Sequence, residues 1–263
     1  YRKPGTHANS SDMIRACNIY KSFREQQVLE DICVEFRSGK TNLIIGKSGS
    51  GKTVLMKILV GLHDPDRGSI LFDDRDFIAM KPNEKNLLRQ EIGMLFQGGA
   101  LFDSMTVEQN VMFPLAMFSN MSWEERLERV NFCLQRVNLE NANKLMPSEL
   151  SGGMVKRVAI ARAIANNPKY LFCDEPNSGL DPKTADVIDH LIVEITEEYN
   201  ITTVVNTHDM NSVLQMGEHI VYIHEGKVNW RGDKETILHE GTPELDDFIF
   251  STALTKRIKK HKR

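Results

Sequence analysis

Hydrophobic and polar positions along the chain switch between two periods. Thr41 to Ile45, Ile92 to Phe96, Tyr170 to Cys173 and Ile201 to Asn206 are short apolar or β-branched runs, which predicts buried strands. The stretch from Met13 to Phe36 is also β-rich and surrounds a polar turn near Arg24-Glu25-Gln26-Gln27. Asp64-Pro65-Asp66-Arg67-Gly68 reads as a turn into a strand at Ser69-Ile70-Leu71-Phe72, and His219 to Trp230 alternates around Glu225-Gly226 like a hairpin. Helical spacing takes over elsewhere. Val54 to Val60 reads as a helix, Met154 to Ala165 as another stopped by Asn166-Asn167-Pro168, and Pro182 opens a third through Ile188, Ile192, Ile195 and Tyr199. Ser122-Trp123-Glu124-Glu125 has the form of a capping box, and the helix behind it sets Trp123, Leu127, Val130, Leu134 and Val137 on one face. The sequence of elements predicts an α/β domain with a largely parallel sheet, interrupted by a helical insert over about 103–165.

Composition changes this picture little. Of 263 residues, 41% are hydrophobic and 26% charged, the balance of a globular chain. The formal net charge of −3 argues against a general nucleic-acid binder. Cys17, Cys33, Cys133 and Cys173 form no C-x-x-C pair, so neither a zinc site nor a disulfide framework is expected, and free thiols suit a reducing cytosol. The longest apolar run, Val111 to Phe118, is far short of the ~20 residues of a membrane helix, so any membrane role is expected to come through a partner. Residues 1–12 are polar and patternless and are expected to be a non-native leader before a start at Met13. Residues 241–263 are read as a C-terminal extension, with a short helix over about 240–255 and a basic tail at 256–263 that suits solvent, anionic lipid or an acidic partner.

Candidate chemistry starts at Gly46-Lys47-Ser48-Gly49-Ser50-Gly51-Lys52-Thr53, which fits the P-loop pattern G-x-x-x-x-G-K-[ST] between a strand and a helix. Backbone N–H groups of such a loop and the helix N-terminus cradle phosphates. Lys52 is placed to reach the β- and γ-phosphates, and the Thr53 hydroxyl to bind Mg²⁺. The strand Tyr170-Leu171-Phe172-Cys173 ends in Asp174-Glu175: Asp174 is a second Mg²⁺ candidate, and Glu175 a base for an attacking water. Leu150-Ser151-Gly152-Gly153-Met154 opens a helix and offers a second anion-binding turn.

These motifs, in this order, resemble the nucleotide-binding subunit of an ABC transporter from Met13 to about Gly232. The resemblance implies a P-loop NTPase (RecA-like) core with an N-terminal antiparallel β subdomain and an inserted helical subdomain, the ATPase domain spanning 13–240. It also implies ATP and Mg²⁺ as ligands. Residues 46–53, with Gly46, Ser48, Gly49, Ser50, Gly51, Lys52 and Thr53, match the P-loop, Asp174 and Glu175 the Walker B end, and Leu150 to Met154 the signature. Ser178-Gly179-Leu180-Asp181 resembles the D-loop, His208 the switch histidine and Gln97 the Q-loop glutamine, a further Mg²⁺ contact. Phe23 takes the place of the adenine-stacking aromatic, with Tyr20 as its rival. In such a family two copies face each other head to tail, ATP held between one P-loop and the other copy's Ser151, Gly152 and Gly153.

Met154, where glutamine is common, and the run from Phe96 through Gly98-Gly99-Ala100 to Val107 resemble the ATPases of Mla/MCE phospholipid transport systems. That finer resemblance implies a homodimer on the cytoplasmic face of an inner membrane, under permease subunits, with an MCE-domain lipid-binding protein and a STAS-domain regulator. The apolar cluster Leu101, Phe102, Val111, Met112, Phe113, Leu115 and Met117 is expected to divide between subdomain core and a groove for a permease helix. Transport of another cargo, or a soluble role on ribosomes or DNA, are the alternatives. Asn177 departs from the threonine frequent at its position.

Overall fold

The computed structural model describes residues 13–250, so the leader, the basic tail and the end of the expected C-terminal helix lie outside the described residues. β1 (Ile14–Phe23) turns at Arg24, which has a left-handed φ of 55°, and pairs antiparallel with β2 (Gln26–Phe36). β3 (Thr41–Ile45) and α1 (Lys52–Leu59) follow, then β4 (Arg67–Phe72), which pairs antiparallel with β1, and the short β5 (Arg75–Asp76). α2 (Pro82–Gln90) leads to β6 (Ile92–Leu95). The helices α3 (Val107–Phe118), α4 (Trp123–Arg136) and α5 (Gly152–Ile164) precede β7 (Tyr170–Asp174) and α6 (Pro182–Tyr199). β8 (Thr202–Thr207), α7 (Met210–Met216), the hairpin β9 (His219–His224) and β10 (Lys227–Gly232), and α8 (Pro243–Ile249) complete the described chain.

Two sheets result, one antiparallel in the order β2-β1-β4-β5, the other β10-β9-β3-β8-β7-β6. The second is parallel except at its β10 edge. Both faces of its central strands are buried, which is why they read as unbroken apolar runs. Alternate residues separate into two cores. Ile44, Phe172 and Val204 join the core shared with α1 and the antiparallel sheet. Leu43, Ile45, Cys173 and Val205 join the core shared with α3 to α6. Among the described residues no helix is long and apolar enough to cross a membrane.

The capping box closes as expected: Ser122 Oγ accepts from the Glu125 N–H, and Glu125 Oε2 accepts from the Ser122 N–H at 2.7 Å. The face of α4 is different from the one expected at its start. Trp123 is 57% exposed, and burial begins only at Val130, continuing through Cys133 and Leu134. The first turn of α4 carries the cap and little packing, so its tryptophan stays at the surface. Val107, Val111, Leu115, Val130 and Val158 share one apolar cluster with β3, so the insert has no core of its own. α2 has no counterpart in the periodicity of the sequence, because Leu88 is its only buried side chain and no apolar stripe marks it. In the apolar cluster after β6, Val111 and Leu115 are fully buried while Phe102, Phe113 and Met117 are exposed.

Candidate nucleotide-binding site

The turn from β3 into α1 requires glycine at particular points. Gly46 has φ 153° and a Cβ there would lie 2.3 Å from the Ile223 carbonyl oxygen; Gly51, at φ 104°, would meet the Leu29 side chain at 2.6 Å. Gly51 also caps α1 without a side-chain acceptor, so the first N–H groups of the helix keep their capacity to bind an anion. Lys52 is 5% exposed, and its ammonium folds back to donate to the Gly46 and Lys47 carbonyl oxygens at 2.8 and 3.1 Å. Burial pulls its pKa below the usual lysine value, opposed by the charges of Glu175 and Asp174.

The acidic side comes from β7 and β8. Asp174 Oδ1 accepts from Asn206 Nδ2 at 2.5 Å and lies 3.4 Å from Thr53 Oγ1, while Asn206 Nδ2 also reaches Thr53 Oγ1 at 3.2 Å. Burial lifts the Asp174 carboxyl above the usual range, the Asn206 hydrogen bond opposing and the Glu175 charge adding to the rise. Glu175 itself sits at φ 46°, a left-handed conformation rare outside glycine, with its N–H donating to the Asn206 carbonyl at 2.9 Å. That kink turns the carboxylate toward two partners. His208 Nδ1 lies 3.0 Å from Oε1, and Gln97 Nε2 donates to Oε2 at 3.3 Å and to Ser178 Oγ at 3.4 Å. Gly49, Lys52, Thr53, Gln97, Glu175 and His208 line one open cleft of about 1290 Å³.

The residues fit a Mg²⁺–nucleoside triphosphate. The buried Lys52 ammonium has three donors and two carbonyl partners, which leaves one for a phosphate oxygen. Ser50 Oγ and Asn206 Oδ1 are buried polar atoms without a partner in the protein. Among the described residues no group of three or more His, Cys, Asp and Glu side chains converges as a metal cage. Thr53 and Asp174 would therefore hold Mg²⁺ jointly with phosphate oxygens, the usual habit of this ion.

Other candidates lie elsewhere. Phe23 ends β1, 41% exposed, with its ring edge-on to His63 at 5.6 Å and outside the cleft lining, and the half-buried Tyr20 is not in that lining either. Ser151 caps α5 by accepting from the Met154 N–H at 3.3 Å, and neither it nor Gly152 and Gly153 lines the cleft of its own chain. A Cβ on Gly153 would lie 2.6 Å from the Thr184 methyl, so the signature turn packs on the start of α6. Asp181 caps that helix, accepting from the Lys183 and Thr184 N–H groups at 3.1 Å. Sequence reasoning missed Asn206, the polar residue near the end of an apolar strand. It also missed Lys156, 4% exposed, whose ammonium donates to the Gln97 carbonyl, and Arg162, which holds the Gly99 and Ala100 carbonyls at 2.7 Å. Lys156 and Arg162 together tie the Gln97 segment to α5.

A glycine loop between strand and helix, a buried lysine on it, and a carboxylate pair at a neighbouring strand end define a P-loop nucleotide triphosphatase. The comparisons give a narrower group. A family model described as "ABC transporter" matches residues 29–178. The chain is 39% identical over 211 residues to the methionine import ATP-binding protein MetN of Geobacillus kaustophilus, covering 80% of this chain but 60% of that protein's length. It is 36% identical to the intermembrane phospholipid transport system ATP-binding protein MlaF of Haemophilus influenzae over 91% of each. Among solved structures, the dimeric ATP-binding cassette MJ0796 bound to ADP and Pi superposes with a TM-score of 0.77 at 34% identity, covering 84% of this chain and 98% of that one. The chain belongs to the ABC transporter family and carries that family's ATPase domain.

Proposed function

We propose that the protein is the ATP-hydrolysing motor subunit of an ABC transporter. The observation that carries this reading is the convergence of Lys52, Thr53, Gln97, Glu175 and His208 on one cleft, with the carboxylate of Glu175 hydrogen-bonded on both oxygens. In the reaction, Lys52 binds phosphate oxygens, and Mg²⁺, when bound, offsets their charge. Glu175 accepts a proton from the attacking water while His208 and Gln97 keep its carboxylate oriented. Ser151, Gly152 and Gly153 lie outside their own chain's cleft, so a second copy supplies them when two cassettes close on ATP, an arrangement supported by the dimeric state of MJ0796. Closure excludes water from the phosphates and turns binding into motion for membrane permease subunits. The protein then sits on the cytoplasmic face of the membrane that holds the permease.

For cargo we favour phospholipid, moved between the membranes of a two-membrane envelope with an MCE-domain protein and a STAS-domain regulator. Support comes from the MlaF alignment along 91% of both chains and from Met154 with the Phe96-to-Val107 run. The 39% identity to MetN favours methionine import as a second reading. Purification of the tagged chain from detergent-solubilised membranes of its host, with mass spectrometry of what accompanies it, separates them. A permease with an MCE-domain protein and phospholipid supports the first reading, a methionine-binding protein the second, and ribosomes or DNA overturn both.

A further inference from the structure

Glu175 and His208 meet in the cleft but ride on separate segments, one after β7 and one after β8. Both segments are tied together through one side chain, Asn177. Two residues past Glu175, Asn177 Nδ2 donates to Asp189 Oδ1 at 2.6 Å and to Ser212 Oγ at 3.0 Å. Ser212 lies in α7, four residues past His208, and is fully buried. Asp189, in the middle of α6, is 2% exposed. The half-buried Asn177 thus reaches from the cleft lining to two buried side chains, where a hydrogen bond is strong and an unmet group costly. The orientation of the Asn177 amide is fixed by these bonds: Oδ1 is buried with no partner, and turning the amide over would set that oxygen against a carboxylate. Threonine at this position could not span both partners with two amide hydrogens.

We propose that the Asn177–Asp189–Ser212 cluster is a positioning device for hydrolysis, in which Asn177 clamps the Glu175 loop both to α6 and to the His208 segment so that the two groups stay in register. This inference rests on the ATPase reading above. Asp189 and Ser212 do not line the cleft and are positioning residues that act through Glu175 and His208; Asn177 reaches the cleft lining and links them. An amide is the fitting hub, because its two N–H hydrogens donate to two elements at once.

The test uses the full chain and compares kcat, KM for ATP, nucleotide affinity and Tm. Ser212→Ala is the primary variant, because Ser212 does not line the cleft and cannot touch nucleotide itself. The expected result is a fall in kcat of roughly ten- to a hundredfold, the scale of a small misplacement of a reacting group. ATP affinity and KM should stay within about twofold, since P-loop binding is untouched. A rescue pair guards against simple misfolding. Asn177→Asp sets two carboxylates together and should fall further, and adding Asp189→Asn restores donor and acceptor in reversed order and should recover most of the loss. Wild-type kcat in Ser212→Ala, or a loss that follows Tm and is not rescued by the reversed pair, overturns the proposal. A wild-type chain that fails to turn over ATP at all overturns the ATPase reading, and this inference with it.

Discussion

Replacing Lys52 with methionine removes one charge while keeping the length of the side chain. Two of the three ammonium donors are held by the Gly46 and Lys47 carbonyls, so one remains for the nucleotide. A charge-assisted hydrogen bond in a part-buried site contributes about 1.5–3 kcal/mol, which corresponds to a roughly 10- to 150-fold loss of ATP affinity. Stability should change much less. The variant leaves two loop carbonyls without a donor, yet it also relieves the desolvation of a 5% exposed cation, the effect that lowers the Lys52 pKa. These opposing terms are each about 1–3 kcal/mol, so the net shift in Tm should stay within about 4 °C. Titration of wild type and Lys52→Met with ATP and Mg²⁺ by calorimetry, beside thermal melts of both without nucleotide, gives the two numbers. An ATP affinity within threefold of wild type, with the loop intact, would refute the assignment of Lys52 to the phosphates.

Glu175→Gln keeps the Gln97 and His208 side chains within reach but removes the proton acceptor, so turnover should fall by at least about 100-fold while ATP binding persists. Single-turnover hydrolysis and size-exclusion with ATP and Mg²⁺ check this, and a variant that stays monomeric counts against the two-copy closure. Asp189 is pushed up to about 6 by burial, opposed by hydrogen bonds from Ser212 and Asn177 and reinforced by the charges of Asp209 and Asp186. Its folded pKa lies above the unfolded value of about 3.9, so the stability it contributes is fully present below pH ~4 and is lost as pH rises through about 6, some 3 kcal/mol in all. The Tm of wild type relative to Asp189→Asn should therefore fall between pH 4.5 and 7.5, and parallel melting curves would exclude the shift. Gly46→Ala places a Cβ 2.3 Å from the Ile223 carbonyl, which should cost about 1–3 kcal/mol and several degrees in a thermal melt.

Much of the cleft was legible in the chain because its chemistry is local. The residues of 46–53 are consecutive, the glycine torsions follow from residue type, and Asp174-Glu175 end an apolar strand, so spacing alone placed phosphate, metal and base candidates. Strand and helix periods gave the α/β order for a similar reason, since each depends on side chains a few residues apart. They failed where packing is not periodic: α2 has no apolar stripe, and Trp123 shares a helical face yet stays 57% exposed.

What the tertiary structure decided is which distant residues share a site. Asn206 and Asp174 are 32 positions apart, and Gln97 and Glu175 are 78 apart. Parallel strands β7 and β8 set Asp174 opposite Asn206, a register no local pattern encodes. The sequence by itself determined the family of chemistry, a P-loop that binds phosphate beside two carboxylates. Only the fold decided that Asn206 binds Asp174, that Lys156 holds the Gln97 carbonyl, and that Asn177, Asp189 and Ser212 meet, because those contacts are created by strand pairing and helix packing between segments far apart in the chain.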